Sequence, residues 1–282
     1  MTFLFPLASA FLQAGSLVMD KAILSVRRMT FQIYIGSGFF IYFLLAGIFF
    51  AIAQPPFSRA YFAGGLLWFF LLSVALKTGI NLLFYRALAH DHLGELETLA
   101  LLQSIPALIF SSILFPDERN YAILIPALFA SLAIIWAHWE RRHFSMMRAT
   151  VFFLVWILIL APVGPALLKV LLRVWDPISL EFMQSGATTL VFGVLFFRKR
   201  PQFVPSRALP LLFLTNLLSL SAWILLAFSF QRFGVIYTML LFSVQPLLVY
   251  FGSVMILKER FHWKKACAFV VVLGSIAAAH LI

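Results

Sequence analysis

Long apolar runs dominate the chain and are separated by short segments rich in Pro, Arg and Asp. A membrane-spanning helix needs about 20 mainly apolar residues, whereas a transmembrane β-strand shows only about ten residues of alternating hydrophobicity. The runs therefore predict an all-α membrane protein with ten transmembrane helices. The predicted spans are 3–25, 29–53, 61–89, 93–115, 120–138, 149–172, 178–197, 208–231, 234–257 and 264–282.

The second part of the chain repeats the first at an offset of about 140 residues. Pro106 corresponds to Pro246, and the pair Glu118-Arg119 corresponds to Glu259-Arg260. Each repeat would hold five helices, an odd number, so the second repeat enters the membrane upside down. Inverted repeats of this kind are typical of secondary transporters. We therefore predict two inverted five-helix repeats.

The acidic-basic pair after the fourth and ninth helices, with a Pro inside each of those helices, resembles the EamA family of the drug/metabolite transporter superfamily. The resemblance covers the whole chain, with one EamA-like repeat at 1–140 and a second at 141–282. It implies a carrier of small metabolites. The chain departs from the family pattern because the usual Gly before the Glu is absent from Pro116-Asp117-Glu118-Arg119 and Leu257-Lys258-Glu259-Arg260.

Composition excludes a water-exposed globule, because 63% of residues are hydrophobic and only 11% are charged, against roughly a quarter charged in soluble domains. The net charge of +11 comes from basic residues in short loops, which indicates membrane topology and not a nucleic-acid surface. The lone Cys267 excludes a disulfide framework. We find no catalytic or nucleotide-binding motif. The expected partners are a small-molecule substrate and membrane lipids, with no enzyme activity, cofactor or metal.

The distribution of Lys and Arg predicts the orientation of the chain. Most of these residues lie in the loops that follow helices 1, 3, 5, 7 and 9, whereas the opposite side holds only Arg59, Arg119, Arg173 and Arg232. The positive-inside rule then places both termini outside the cytoplasm. The family resemblance implies the reverse. We favour the charge distribution and expect a multi-pass protein of the plasma membrane, or of a bacterial or archaeal inner membrane.

Polar residues inside the predicted spans locate the candidate site, because ionisable groups there usually face a cavity or a partner. Helices 1, 3 and 4 each carry polar or small residues at helical spacing, which suggests one shared cavity. The candidate binding or coupling residues are Gln13, Asp20, Lys77, Asn81, Tyr85, Glu97 and Ser104 in the first repeat, and Asn216, Trp223 and Gln245 in the second.

Two interpretations of these charges are open. Lys77 forms a structural ion pair with Asp20 or Glu97, or one of the carboxylates exchanges a proton or binds a cationic substrate. Glu97 is our choice for proton coupling, because it starts a polar face on the helix that contains Pro106. The second repeat carries fewer charges in its spans, so we expect the first repeat to supply the coupling chemistry.

Two further features concern helix geometry. Pro106 and Pro246 occupy matched positions inside predicted helices, where a proline removes a backbone hydrogen bond, and we predict that both are hinges. Gly274 and Ala278 form a face of small residues on helix 10, which permits a homodimer contact.

Three functions are compatible with this pattern. The first is a secondary transporter that moves a small metabolite by alternating access. The second is a flippase for a lipid-linked or lipid-like substrate, which the 33 Phe residues permit. The third is a membrane scaffold without transport activity, which the polar residues of the first repeat disfavour.

Overall fold

Helices form the whole of the described fold. The computed structural model describes residues 4–89, 93, 96, 104–116, 121–138, 148–160, 162–197, 204–257 and 263–281, and no strand occurs in these ranges. The predicted all-α class is confirmed. The helices are α1 Leu4–Leu24, α2 Phe31–Ala53, α3 Leu66–Leu88, α4 Ser104–Leu114, α5 Tyr121–His138, α6 Arg148–Ile159, α7 Val163–Leu172, α8 Pro177–Phe192 (continued by a π-helical turn, Gly193–Phe197), α9 Leu209–Phe233, α10 Val235–Phe242, α11 Gln245–Ile256 and α12 Trp263–Leu281.

Several of these helices match the length and apolarity of a membrane span. Within the described ranges six segments do so, namely Leu4–Leu24, Phe31–Ala53, Leu66–Leu88, Pro177–Phe196, Leu209–Phe233 and Val235–Ile256. The pair Phe152–Ile159 and Val163–Leu172, bent by 50°, is a seventh if it crosses as one span. The outer face of α2 exposes large apolar side chains at every fourth position, as a lipid-facing surface does: Phe40, Leu44, Ile48 and Ile52. The protein is therefore an integral multi-pass membrane protein.

Local sequence signals set several helix ends where the sequence predicts them. The Thr30 hydroxyl accepts a hydrogen bond from the Ile33 amide at 3.3 Å and caps the start of α2. Gln54 takes a left-handed conformation (φ 44°) and ends that helix. Asp176 caps α8 by accepting from the amides of Ile178 and Ser179, and Pro177 occupies the first helical position.

The start of the third predicted span, 61–89, is wrong by several residues. Arg59–Phe62 form a separate short 3₁₀ helix, and α3 begins only at Leu66. Gly64 lies between them with φ +57°, a conformation that glycine adopts without steric cost. Hydrophobicity alone does not reveal this turn, because the surrounding residues are apolar.

Pro246 lies at the start of a helix and not inside one as predicted. Val235–Ile256 is interrupted after Phe242, and Pro246 lies in the first turn of α11 instead of inside a continuous helix. Proline is tolerated in a first turn, and it has no N–H to donate to the Phe242 carbonyl. Pro106 is the third residue of α4, and the residues immediately before Ser104 lie outside the described ranges.

α1 and α3 each pack closely against helices of the second half. The most extensive helix contact joins α1 to α9, and α1 also packs against α10 and α11. A Cβ atom at Gly252 of α11 would lie 2.9 Å from Val18 Cγ2, so the glycine lets these helices approach. Similarly, a Cβ atom at Gly79 of α3 would lie 2.3 Å from the Trp156 ring of α6. These contacts leave a cavity between α1, α2, α3 and the helices of the second half.

Candidate functional site

A cavity of about 380 Å³ lies at the centre of the bundle. Its wall is mostly apolar and is built by side chains from α1, α2, α3 and α6 to α11. Both halves of the chain therefore contribute to it. Of the predicted site residues, those that line the cavity are Gln13, Asp20, Lys77, Asn81, Tyr85, Asn216, Trp223, Gln245 and Pro246.

The remaining predicted residues are not part of this described wall. Glu97 lies outside the described residues. Ser104 begins α4, and its side chain is also outside the description. Pro106 is described but does not line the cavity.

An ion pair crosses the middle of the cavity. Lys77 of α3 pairs with the Glu181 carboxylate of α8, and the Tyr42 hydroxyl of α2 donates to the same Oε1 atom at 2.6 Å. Lys77 Nζ also lies 5.7 Å from the centre of the Tyr42 ring and 6.0 Å from that of Trp223. Both rings are within the distance of a cation–π interaction. The ammonium group therefore has one carboxylate and two aromatic faces around it.

This pairing corrects the predicted partner of Lys77. We expected Asp20 or Glu97, but the structure pairs Lys77 with Glu181, 104 residues away in the chain. The second half thus contributes a charge to the cavity through Glu181, and the expectation that the first repeat supplies the coupling chemistry stays a prediction. Glu181 lies in the first turn of the predicted span 178–197, and its position in the sequence does not indicate Lys77 as its partner. The contact depends on how α3 and α8 pack.

Asp20 forms a second polar group in the cavity wall. Its side chain is only 1% exposed. The hydroxyls of Tyr34 and Thr215 donate to Oδ1, the latter at 2.5 Å, and the Tyr85 hydroxyl donates to Oδ2 at 3.1 Å. Thr215 Oγ1 also lies 3.0 Å from Ser16 Oγ and 3.0 Å from the Ser16 carbonyl oxygen. Asp20 is thus held by hydroxyl groups from α2, α3 and α9.

The two polar groups lie along the same two helices. Tyr34 and Tyr42 are eight residues apart on α2, and Lys77 and Tyr85 are eight residues apart on α3. Eight residues of an α-helix rise about 12 Å. The cavity therefore has one polar level around Lys77 and Glu181, and a second about 12 Å along the helix axes around Asp20.

Amide side chains complete the polar wall. Asn81 donates to the Lys77 carbonyl at 2.7 Å, and Asn216 donates to the Leu212 carbonyl at 2.6 Å. Each amide group thus donates an N–H to a backbone carbonyl of its own helix, four residues earlier in the chain. Ser219 lies 3.5 Å from Gln13 Oε1 across the α1–α9 contact.

Sequence reasoning missed several groups of this site. Tyr34 and Tyr42 flank Gly38 at intervals of four residues, a helical spacing that marks one face of α2. Thr215 lies one residue before the predicted Asn216. Trp156 lines the cavity, and its buried Nε1 has no hydrogen-bond partner among the residues that the structure describes. Its apolar neighbours give no sequence signal for this role.

Comparison with known proteins gives a family similarity for the second half of the chain. Residues 148–279 match the EamA-like transporter family. The EamA resemblance is confirmed over these residues, and the EamA-like repeat at 1–140 stays a prediction. The match indicates a membrane transporter of the drug/metabolite type, in a family that is typically non-enzymatic. A search of curated proteins gives no match.

The fold of the chain is also found among solved structures. One of them, described only as "Crystal structure of protein", has a TM-score of 0.74 and 15% sequence identity. The similarity covers 98% of this chain and 95% of the other. The two chains therefore share a fold over nearly their whole length.

Proposed function

We propose that the protein is a secondary transporter that moves a small polar or amphipathic metabolite by alternating access around the central cavity. The observation that carries this proposal is the cavity itself, which both halves of the chain line with charged and amide groups inside membrane-length helices. An ionisable group at the centre of a membrane helix costs about 2.5–3.5 kcal/mol on insertion scales. Such groups around a cavity favour a transport pathway over simple packing.

The proposal includes ten transmembrane helices in two inverted five-helix repeats. The helix contacts support this arrangement. α1 packs on α9, and α3 packs on α6 and α7. The first predicted span of each half therefore packs on the third span of the other half. α2 packs on α8 and α5 on α12, which are equivalent helices of the two halves. A two-fold relation between inverted repeats produces this pattern, and alternating access uses it to form two gates.

The cavity also favours a class of substrate. At the first polar level, Lys77 and Glu181 present one positive and one negative group beside the rings of Tyr42 and Trp223. A small metabolite that carries an ionised group and an apolar body matches both parts of this wall. A cavity of about 380 Å³ is within the size range of small-molecule sites.

An ion gradient or substrate exchange would drive such a carrier, since the sequence contains no nucleotide-binding motif. Proton coupling through Glu97 stays a prediction from the sequence, because that residue lies outside the described ranges. Asp20 and Glu181 are the carboxylates that line the described cavity.

A variant that fills the cavity tests the proposal. Ser219 lines the cavity on α9 and makes one long hydrogen bond, whereas Ser221 on the same helix does not line it. Ser219→Phe should remove substrate binding and exchange, and Ser221→Phe is the matched control that should keep both. Substrates are first found by thermal-shift screening of amino acids, organic acids, amines and sugars, since a bound ligand raises the melting temperature.

Compounds that stabilise the purified protein are then tested for exchange across proteoliposomes. We expect wild-type and Ser221→Phe protein to exchange the labelled compound and Ser219→Phe to fail, with similar melting temperatures for all three. Wild-type exchange by a folded Ser219→Phe variant would refute a transport pathway through this cavity.

A further inference from the structure

Asp20 differs from the other cavity carboxylate in the kind of partner it has. Glu181 is paired with the ammonium group of Lys77. Asp20, by contrast, receives hydrogen bonds from three neutral hydroxyls, and no cation among the described residues lies within 4 Å of it. A buried carboxylate without a cationic partner is neutralised most simply by a proton.

Hydroxyl groups from three helices surround Asp20, whereas α10 and α11, which also pack against α1, give it no hydrogen bond among the described residues. Tyr34 faces it from α2 and Tyr85 from α3, and α9 contributes the hydroxyl of Thr215. Lys21 is adjacent in sequence, but its Nζ donates to the Leu88 carbonyl at 2.8 Å. The immediate shell of Asp20 is therefore made of hydroxyl groups.

The position of Thr215 gives a hydrogen-bond partner to both protonation states of Asp20. When the carboxylate is ionised, the Thr215 hydroxyl donates to Oδ1 at 2.5 Å. When Oδ1 carries a proton, that O–H donates to Thr215 Oγ1, and the threonine hydrogen turns to the Ser16 carbonyl oxygen at 3.0 Å. Only hydroxyl hydrogens rotate, so no backbone movement is needed.

Protonation of Asp20 also changes how firmly the two halves of the chain are joined. Hydrogen bonds to an ionised acceptor are roughly twice as strong as neutral ones, so a bound proton weakens the contacts from Tyr34, Tyr85 and Thr215 together. Thr215 lies on α9, which makes the most extensive contact with α1. A proton on Asp20 therefore favours arrangements in which α1 and α9 are less tightly bound.

We propose that Asp20 is the proton-carrying site of this carrier and that Thr215 is the positioning residue that accommodates both of its protonation states. The proposal rests on the proposed transport function. A proton passes from cavity water to Asp20 Oδ1 on one side of the membrane, forming an O–H bond, and returns to water after the cavity opens to the other side. No other bond is made or broken.

Infrared spectroscopy of the protein in proteoliposomes tests proton binding without any substrate. We expect a pH-dependent carboxyl band that is lost in Asp20→Asn and kept in Asp176→Asn. Asp176 caps α8 and does not line the cavity, and Asn is an equally good cap, so this control keeps the fold. A band unchanged by Asp20→Asn would overturn the proposal. A midpoint that moves when K⁺ is replaced by Na⁺ at constant ionic strength would also overturn it, in favour of a cation site.

Thr215 variants give an independent measurement if Asp20→Asn fails to fold. Thr215→Val removes the hydroxyl at nearly constant volume and should change the proton affinity of Asp20 tenfold or more, because one hydrogen bond to the charged carboxylate is lost. Thr215→Ser should restore the wild-type midpoint. A midpoint that is the same in Thr215→Val and wild type would show that Thr215 does not tune the site.

Transport measurements separate this proposal from the carrier function. Asp20→Asn should retain substrate exchange but lose accumulation driven by a pH gradient, whereas the cap control Asp176→Asn should retain both. Accumulation that survives in Asp20→Asn would overturn the coupling role. Absence of exchange in the wild type would instead contradict the carrier proposal, and the infrared titration would still decide whether Asp20 binds a proton.

Discussion

The ion pair between Lys77 and Glu181 allows a quantitative test of the site. Neutralising Lys77 leaves Glu181 with one set of partners, and neutralising Glu181 leaves Lys77 with another. Among the described residues, Lys77→Met leaves the Glu181 charge with the Tyr42 hydroxyl as its hydrogen-bond donor. Removing one partner of a buried ion pair costs about 3–5 kcal/mol. The Lys77 side chain is 17% exposed and contacts the cavity, so we expect a loss near the lower limit, about 3 kcal/mol of unfolding free energy.

Glu181→Gln should be less costly than Lys77→Met. It leaves the Lys77 ammonium near the rings of Tyr42 and Trp223, at 5.7 and 6.0 Å, and such contacts contribute about 0.5–1 kcal/mol at exposed sites and more when desolvated. The Lys77→Met/Glu181→Gln double variant carries no charge at this level. We therefore expect it to recover to within about 1 kcal/mol of wild type, since replacing both partners of a buried pair is often nearly neutral.

The assay is unfolding of the four purified proteins in detergent micelles, analysed as a double-mutant cycle. A coupling energy of about 2 kcal/mol is expected, within the range for residues in direct contact. Additive losses, with a coupling energy below about 0.5 kcal/mol, would refute the ion pair. The same proteins decide its role in transport. A stable double variant without exchange activity means that the pair faces the substrate, and wild-type exchange means that it is structural.

Two further predictions concern orientation and packing. A reporter fused after Ile282 should report an extracytoplasmic location, and a cytoplasmic signal with external labelling of 198–207 would establish the reverse orientation. Gly79→Ala places a Cβ 2.3 Å from the Trp156 ring and should destabilise the protein by about 1–3 kcal/mol. Gly274→Ala is the control and should not destabilise it, because the added Cβ would have no atom of the described residues within 4 Å. A Gly79→Ala variant that melts like the wild type would contradict the close α3–α6 contact.

The sequence predicts the helices well wherever apolar length and capping residues act together. The predicted span 29–53 corresponds to Phe31–Ala53, and 208–231 corresponds to Leu209–Phe233. The prediction fails at the start of α3 and at Pro246, where a short turn inside an apolar stretch changes the backbone. Hydrophobicity does not distinguish such a turn from a continuous helix.

The sequence predicts many residues of the candidate site but not which of them contact each other. Asp20, Lys77 and Tyr85 are found because polar residues inside a span are costly and recur on one helix face. Glu181 and Thr215, which bind two of them, are contributed by the other half of the chain. Their contacts follow from the packing of α8 and α9 against the first half, and helix periodicity carries no information about that packing.

The two polar levels of the cavity share one property that bears on mechanism. Each level joins the two halves of the chain, through Lys77 and Glu181 at one level and through Asp20 and Thr215 at the other. A rearrangement that moves the halves apart at either level must therefore break a contact to a charged group, which is expensive unless a ligand replaces it. A substrate ion at the first level would take the place of one partner of the Lys77–Glu181 pair. A proton at the second level would neutralise Asp20. Binding at the two levels would then act on the same movement, which is the condition for coupled transport.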